Sequence, residues 1–115
     1  MKMTDKFGLK ANVIEEIQKA LSAFPEIKVA VLYGSRAKGN YKTGSDIDLT
    51  LKITDEASDR LLFKVMHALD DLDLPYSFDV SIFDQLDNSD LIDHINRVGV
   101  EFYNANDSSV KKQKQ

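Results

Sequence analysis

The segment Gly34-Ser35-Arg36-Ala37-Lys38-Gly39, followed after a short loop by Ser45-Asp46-Ile47-Asp48-Leu49, joins a glycine-flanked serine, two cations and a pair of acids. The apolar run Ile27 to Tyr33 reads as a strand. That puts Gly34 and Ser35 on a strand-to-helix turn, where free backbone N–H groups suit a phosphate. Asp46 and Asp48 begin the next strand. Side chains alternate along a strand, so these two acids share one face while Ile47, Leu49, Leu51 and Ile53 take the other. Two carboxylates side by side suit a hard divalent cation.

Taken alone, the Asp-Ile-Asp triplet is weak evidence, because acids at a loop-strand junction are usually only solvated. Asp79 changes the weight. It alternates with Phe78, Val80 and Ile82 in a third strand, so three aspartates fall on the polar sides of two strands, where aspartate is disfavoured. On neighbouring strands their carboxylates would converge and repel unless a cation neutralised them. Mg²⁺, which takes a few carboxylates together with substrate phosphate oxygens, is the natural choice.

Other familiar patterns fail. Gly34 and Gly39 have the spacing of a phosphate loop, but Asn40 and Tyr41 stand where its lysine and hydroxyl belong. There is no G-x-G-x-x-G fingerprint, and the segment around Asp46 lacks the glycine and distal glutamate of an EF-hand. His67 and His94 have no second histidine at ligand spacing and read as structural or exposed. Ser45 reads as shaping the loop before the acids, and Tyr33 and Phe78 as core. Exposed cations beside a glycine turn often only face solvent, so Arg36 and Lys38 carry less weight than the acids.

Several elements must position these residues. Leu9, Val13, Ile14, Ile17, Leu21 and Phe24 recur at helical spacing before Pro25, which predicts a first amphipathic helix ending near Phe24. Ser35 to Lys38 has room for a helical turn or two, Gly39 to Gly44 reads as a loop, and Asp46 to Ile53 alternates as a half-buried strand. Thr54 is the expected N-cap of the longest helix, with Asp55 and Glu56 in its first turn and apolar residues from Leu61 to Leu72. After Pro75 comes the strand Ser77 to Ile82. Ser89 is expected to cap a last helix that Gly99 ends, and Val100 to Tyr103 reads as a short edge strand. The expectation is an α/β fold with a small mixed β-sheet packed with helices. Residues 1–103 are expected to form one domain and the polar residues 104–115 a disordered tail.

At 115 residues and 43% hydrophobic, the chain is long enough for one ordinary core. A net charge of -4 argues against broad nucleic-acid binding and favours a nucleotide as ligand. No cysteine is present, so neither a disulfide framework nor a thiolate metal site can be drawn. No apolar run approaches the roughly 20 residues that span a bilayer, and the first ten residues have no signal-type core. The expected location is cytoplasmic.

The joined pattern of Gly34-Ser35, Gly39, Ser45-Asp46-Ile47-Asp48-Leu49 and the isolated Asp79 resembles the signature of the polymerase-beta-type nucleotidyltransferases. Within them, the small size and the Gly-Ser-Arg-Ala-Lys-Gly wording are similar to the minimal nucleotidyltransferase (MNT) family. The resemblance runs from about Ala30 to Tyr103 and implies a polymerase-beta-like nucleotidyltransferase fold. It implies that Gly34 and Ser35 hold the β and γ phosphates of a nucleoside triphosphate, with Arg36 and Lys38 as candidate phosphate neutralisers. It also implies that Asp46, Asp48 and Asp79 ligate two Mg²⁺ ions, with Asp79 helping to deprotonate the acceptor. The implied activity is transfer of AMP from ATP to an acceptor hydroxyl with release of pyrophosphate. Proteins of this kind are commonly paired with a HEPN-family partner, some as antitoxins that adenylylate a tyrosine of the toxin. A non-catalytic nucleotide-binding or protein-binding subunit is the alternative, and a homo-oligomer stays open.

Overall fold

Two apolar segments that water would otherwise face, Ile27–Tyr33 (β1) and Ile47–Ile53 (β2), pair antiparallel at the centre of a four-stranded sheet. The computed structural model describes residues 5–55 and 57–106. Along the chain follow α1 (Ala11–Ser22), β1, the single turn α2 (Ser35–Lys38), β2, α3 (Leu61–Asp70), β3 (Phe78–Ile82), a 3₁₀ turn at Phe83–Gln85, α4 (Ser89–Val98) and β4 (Val100–Asn104). The sheet order is β3-β2-β1-β4. β4 runs antiparallel to β1, whereas β3 runs parallel to β2. A parallel pair needs a long crossover, which α3 supplies.

Alternation decides the two faces. Leu32, Leu49, Leu51, Val80 and Ile82 pack with Val13, Ile17 and Leu21 of α1 and Leu61, Val65 and Leu69 of α3 in one core. Asp48, Thr50, Asp79 and Ser81 occupy the opposite face by parity, together with their β1 partners Val31 and Tyr33. There α4 covers part of the sheet: His94 sets its ring edge against Tyr33, centroids 6.2 Å apart. Below the acids Thr50 is fully buried, and Ser81 Oγ donates to its Oγ1 at 2.9 Å. That bond gives the buried Thr50 hydroxyl a partner where water does not reach it, from a half-buried Ser81.

Some boundaries differ from those the sequence suggests. Thr54 does not cap α3, because its N–H donates to Glu26 O at 2.9 Å and so continues the β1–β2 pairing. The helix begins only after Ser58, whose Oγ accepts from the Arg60 N–H. At 10 residues α3 is therefore shorter than the 12-residue α1. The expected tail starts too early at residue 104, because Asn104 ends β4 opposite Val29 and the Ala105 N–H donates to Lys28 O at 2.9 Å; its remaining residues from 107 onward, and Glu56, lie outside the described residues. α4 is capped by Asn88, not Ser89: Asn88 Oδ1 accepts from the N–H groups of Asp90 and Leu91 at 3.0 and 3.1 Å.

Gly99 ends α4 in extended backbone, without the left-handed cap that a C-terminal glycine usually adopts. Its role is steric. A Cβ there would collide with Ile95 O and come within 2.7 Å of Val31 Cγ1, so the missing side chain lets α4 turn closely onto β1. Gly99→Ala is therefore expected to destabilise the fold by roughly 1–3 kcal/mol, as overpacking generally does. Urea unfolding should show the midpoint falling with the slope unchanged.

Candidate active site

Strand register brings the acids together. Asp48 is the Cα partner of Tyr33 on one side and of Asp79 on the other, so the three stand in a row across β1, β2 and β3. Adjacent strands lie about 4.8 Å apart, which sets the two carboxylates abreast on one face. Asp46 precedes β2 and is exposed at its mouth, Asp79 is exposed, and Asp48 between them is half-buried. The strand holding the first pair of acids begins one residue later than expected, at Ile47, whose N–H donates to Ser77 O at 2.9 Å.

The glycine turn closes directly over this row. Gly34 has φ +78° and ψ −158°, a conformation that glycine adopts without strain. A Cβ at Gly34 would collide with Asp48 Oδ2. The bare backbone is thus what admits the carboxylate against the turn. Ser35, half-buried, starts α2, and Lys38 is exposed at its end. With only four residues, α2 offers the local geometry of one turn and little of a long helix's dipole.

Arg36 stands differently from the phosphate neutraliser the sequence suggests. It is 3% exposed, and its donors are turned inward. Nε and Nη2 both donate to Ser45 O at 3.1 and 2.9 Å, and Nη1 donates to Phe7 O at 2.8 Å. The rings of Tyr41 and Tyr76 lie 5.4 and 5.2 Å from the guanidinium carbon. These contacts tie separate segments together, with three of its five N–H donors on backbone carbonyls.

Tyr33 is the residue that pattern reading assigned only to the core. It is buried, yet its register partner is Asp48. Burial raises its phenol pKa, with the charges of Asp79 and Asp48 adding to the effect and a Ser81 hydrogen bond opposing it. Strand pairing would have been the signal, and pairing is not visible in a single segment.

The charge of the row is only slightly compensated. Burial first, then the charges of Asp79 and Asp46, push the Asp48 carboxyl up to about 6, against a smaller downward pull from Arg36. Among the described residues no three histidine, cysteine or acidic side chains form a preformed metal cage. The donor set nonetheless suits Mg²⁺, which is commonly bound through one or two carboxylates and completes its shell with water and substrate phosphate. Oxygen donors, negative charge in excess and a glycine turn bare enough for phosphate all favour that ion.

Comparison with known proteins agrees with this geometry. Residues 15–108 match the family model described as Polymerase beta, Nucleotidyltransferase. The chain belongs to that family. No curated protein sequence matches it. Among solved structures, a toxin–antitoxin complex with AMP-PNP aligns at TM-score 0.64 and 20% identity, over 81% of this chain and 74% of the other. The MntA–HepT toxin–antitoxin complex aligns at TM-score 0.59 and 18% identity, over 83% and 73%. A tri-AMPylated Shewanella oneidensis HEPN toxin in complex with MNT antitoxin aligns at TM-score 0.59 and 16% identity, over 89% and 76%. At these identities the likeness establishes the fold, a polymerase-beta-like nucleotidyltransferase sheet with its helices.

A site of this kind works against stability. Because the folded-state pKa of Asp48 is raised, the folded protein holds its proton more tightly than the unfolded chain does. Stability from this group is present at low pH and is lost as pH rises through about 6. Asp48→Asn should accordingly raise the Tm by about 2–6 °C at pH 8. The gain should shrink toward pH 4, where the wild-type carboxyl is protonated. Thermal unfolding of both proteins across that range checks the sign.

Proposed function

We propose that the chain is a Mg²⁺-dependent nucleotidyltransferase that moves AMP from ATP onto an acceptor hydroxyl. The reading rests above all on Asp48 standing in register with Asp79 while Gly34 closes against its carboxylate. This arrangement supports reading the glycine turn as a phosphate seat beside adjacent acids. Gly34 and Ser35 would seat the β and γ phosphates by close backbone approach and a hydroxyl hydrogen bond. Lys38 would offset the charge that grows on the leaving pyrophosphate. Asp46, Asp48 and Asp79 would hold two Mg²⁺ ions, which when bound neutralise the phosphate oxygens. Asp79, outermost of the acids, would accept the acceptor's proton as its oxygen attacks the α phosphorus in line and the bond to pyrophosphate breaks.

For the acceptor we propose a tyrosine of a HEPN-family partner, the chain acting as antitoxin of the pair in the cytoplasm. The fold likeness to MNT antitoxins in complex with HEPN toxins supports this, one of those toxins being AMPylated. The surface supports a protein acceptor too. Phe63 and Met66 of α3, 65% and 45% exposed, join Tyr76 and Phe78 around a cavity of about 500 Å³ at the β3 edge, on the face of the sheet opposite Asp79, where a partner protein could dock beside the strand that carries the acid. Asp70 lines it, with Asp71 and Asp73 close behind in the chain, so an apolar and basic partner surface would match it.

Transfer of label from α-labelled ATP into proteins of a source-cell lysate tests the reading. Wild type should label a discrete band with Mg²⁺ present, whereas Asp46→Asn and Asp48→Asn should lower the rate by at least about a hundredfold. Phe63→Glu should cut labelling of the band with ATP affinity unchanged. Equal biological effect of wild type and Asp48→Asn, with no label in protein or small molecules, would instead establish a binding subunit without turnover.

A further inference from the structure

A buried guanidinium needs a reason, because a charge withdrawn from water is costly unless hydrogen bonds and partner charges replace the solvent. Arg36 is nine-tenths and more buried, and among the described residues it forms no ion pair with a carboxylate. What replaces water is three hydrogen bonds to two backbone carbonyls and two aromatic faces. An apolar side chain would fill the same space without the desolvation cost. The planar fork does what no apolar side chain can: it reaches several segments at once in fixed directions.

Those segments are the ones that carry the site. Ser45, whose carbonyl takes two of the bonds, immediately precedes Asp46. Tyr76 stands two residues before β3 and three before Asp79. Tyr41 belongs to the loop between the glycine turn and the acids, and Arg36 itself follows Ser35. The remaining bond, to Phe7 O, ties in the N-terminal turn. We infer that Arg36 is a positioning residue: by clamping Ser45 and Tyr76 to the glycine turn it sets where Asp46 and Asp79 stand, and so governs the metal-dependent part of nucleotide binding. The inference rests on the Mg²⁺-nucleotide reading given above.

The clamp can be disturbed from outside the site. Gly8, at φ +73°, lies beneath it; a Cβ there would stand 2.8 Å from Arg36 Nη1 and collide with the Tyr41 ring. Gly8→Ala therefore presses on the guanidinium while leaving Arg36 and every acid in the sequence. Arg36→Lys keeps the charge but loses the fork, since one ammonium cannot span Ser45 and Phe7 in the same geometry.

Calorimetry of ATP binding to the full chain, once with Mg²⁺ in excess and once in EDTA, separates positioning from phosphate contact. For both Arg36→Lys and Gly8→Ala, affinity with Mg²⁺ should fall at least tenfold, while affinity in EDTA stays within twofold of wild type. Equal losses in the two conditions for Arg36→Lys would overturn the inference by making Arg36 a phosphate ligand. No loss in either variant would overturn it by making the clamp irrelevant to the site. Tyr76→Leu, which removes one ring and none of the hydrogen bonds, serves if Arg36→Lys does not fold, and should show the same Mg²⁺-selective loss. A wild type that binds ATP equally well with and without Mg²⁺ would instead sink the metal reading itself, and the comparison of wild type alone reveals that case.

Discussion

Two carboxylates held abreast on neighbouring strands repel each other, and the rest of this fold is arranged around tolerating that. Asp48 cannot move away from Asp79, because five consecutive residue pairs fix the parallel register of β2 and β3. Gly34 leaves room for the same carboxylate on the β1 side, where any Cβ would collide with it. A chain selected for stability alone would place an apolar or amide side chain at this position. Retaining the acid concentrates a negative field at one end of a small sheet, the condition under which a divalent cation and a polyphosphate bind together.

The supporting structure divides that labour by face. α1 and α3 bury the apolar side of the sheet and supply the stability against which the strained row is held. α4 closes only part of the other side, turning sharply at Gly99 and resting His94 on Tyr33, so the strand ends that bear the acids stay accessible. Beneath them the Thr50–Ser81 hydroxyl pair fills polar space that an apolar contact would otherwise have to close. Arg36 completes the frame from the side, bonding the Ser45 and Phe7 carbonyls of two separate loops.

Much of this is legible in the sequence wherever a local rule suffices. Period-two alternation places Asp46 and Asp48 opposite Ile47 and Leu49, and apolar spacing at three and four residues marks α1. Alternation also puts Asp79 on the polar side of a third strand, but no local pattern says that this strand lies beside β2; only the family resemblance implies it. What depends on tertiary contact is not legible. Arg36 looks like a surface cation because burial cannot be read from a residue type. Tyr33 looks like plain core because its partner Asp48 lies fifteen residues away in the chain. Thr54 looks like a helix cap until Glu26, outside any local window, takes its N–H. Asn88 wins the α4 cap from Ser89 by one position, a margin finer than helix-start signals resolve.

The most direct measurement is carboxyl-carbon NMR titration of Asp48, assigned by comparison with Asp48→Asn, first without metal and then with Mg²⁺ and ATP. An apparent pKa near 6 is expected in the free protein, from burial first and then from the charges of Asp79 and Asp46. That value should fall well into the ordinary carboxylate range or below it once Mg²⁺ and nucleotide are present. An ordinary value from the start, unmoved by Mg²⁺ and ATP, would mean that the acids neither crowd one another nor share a cation.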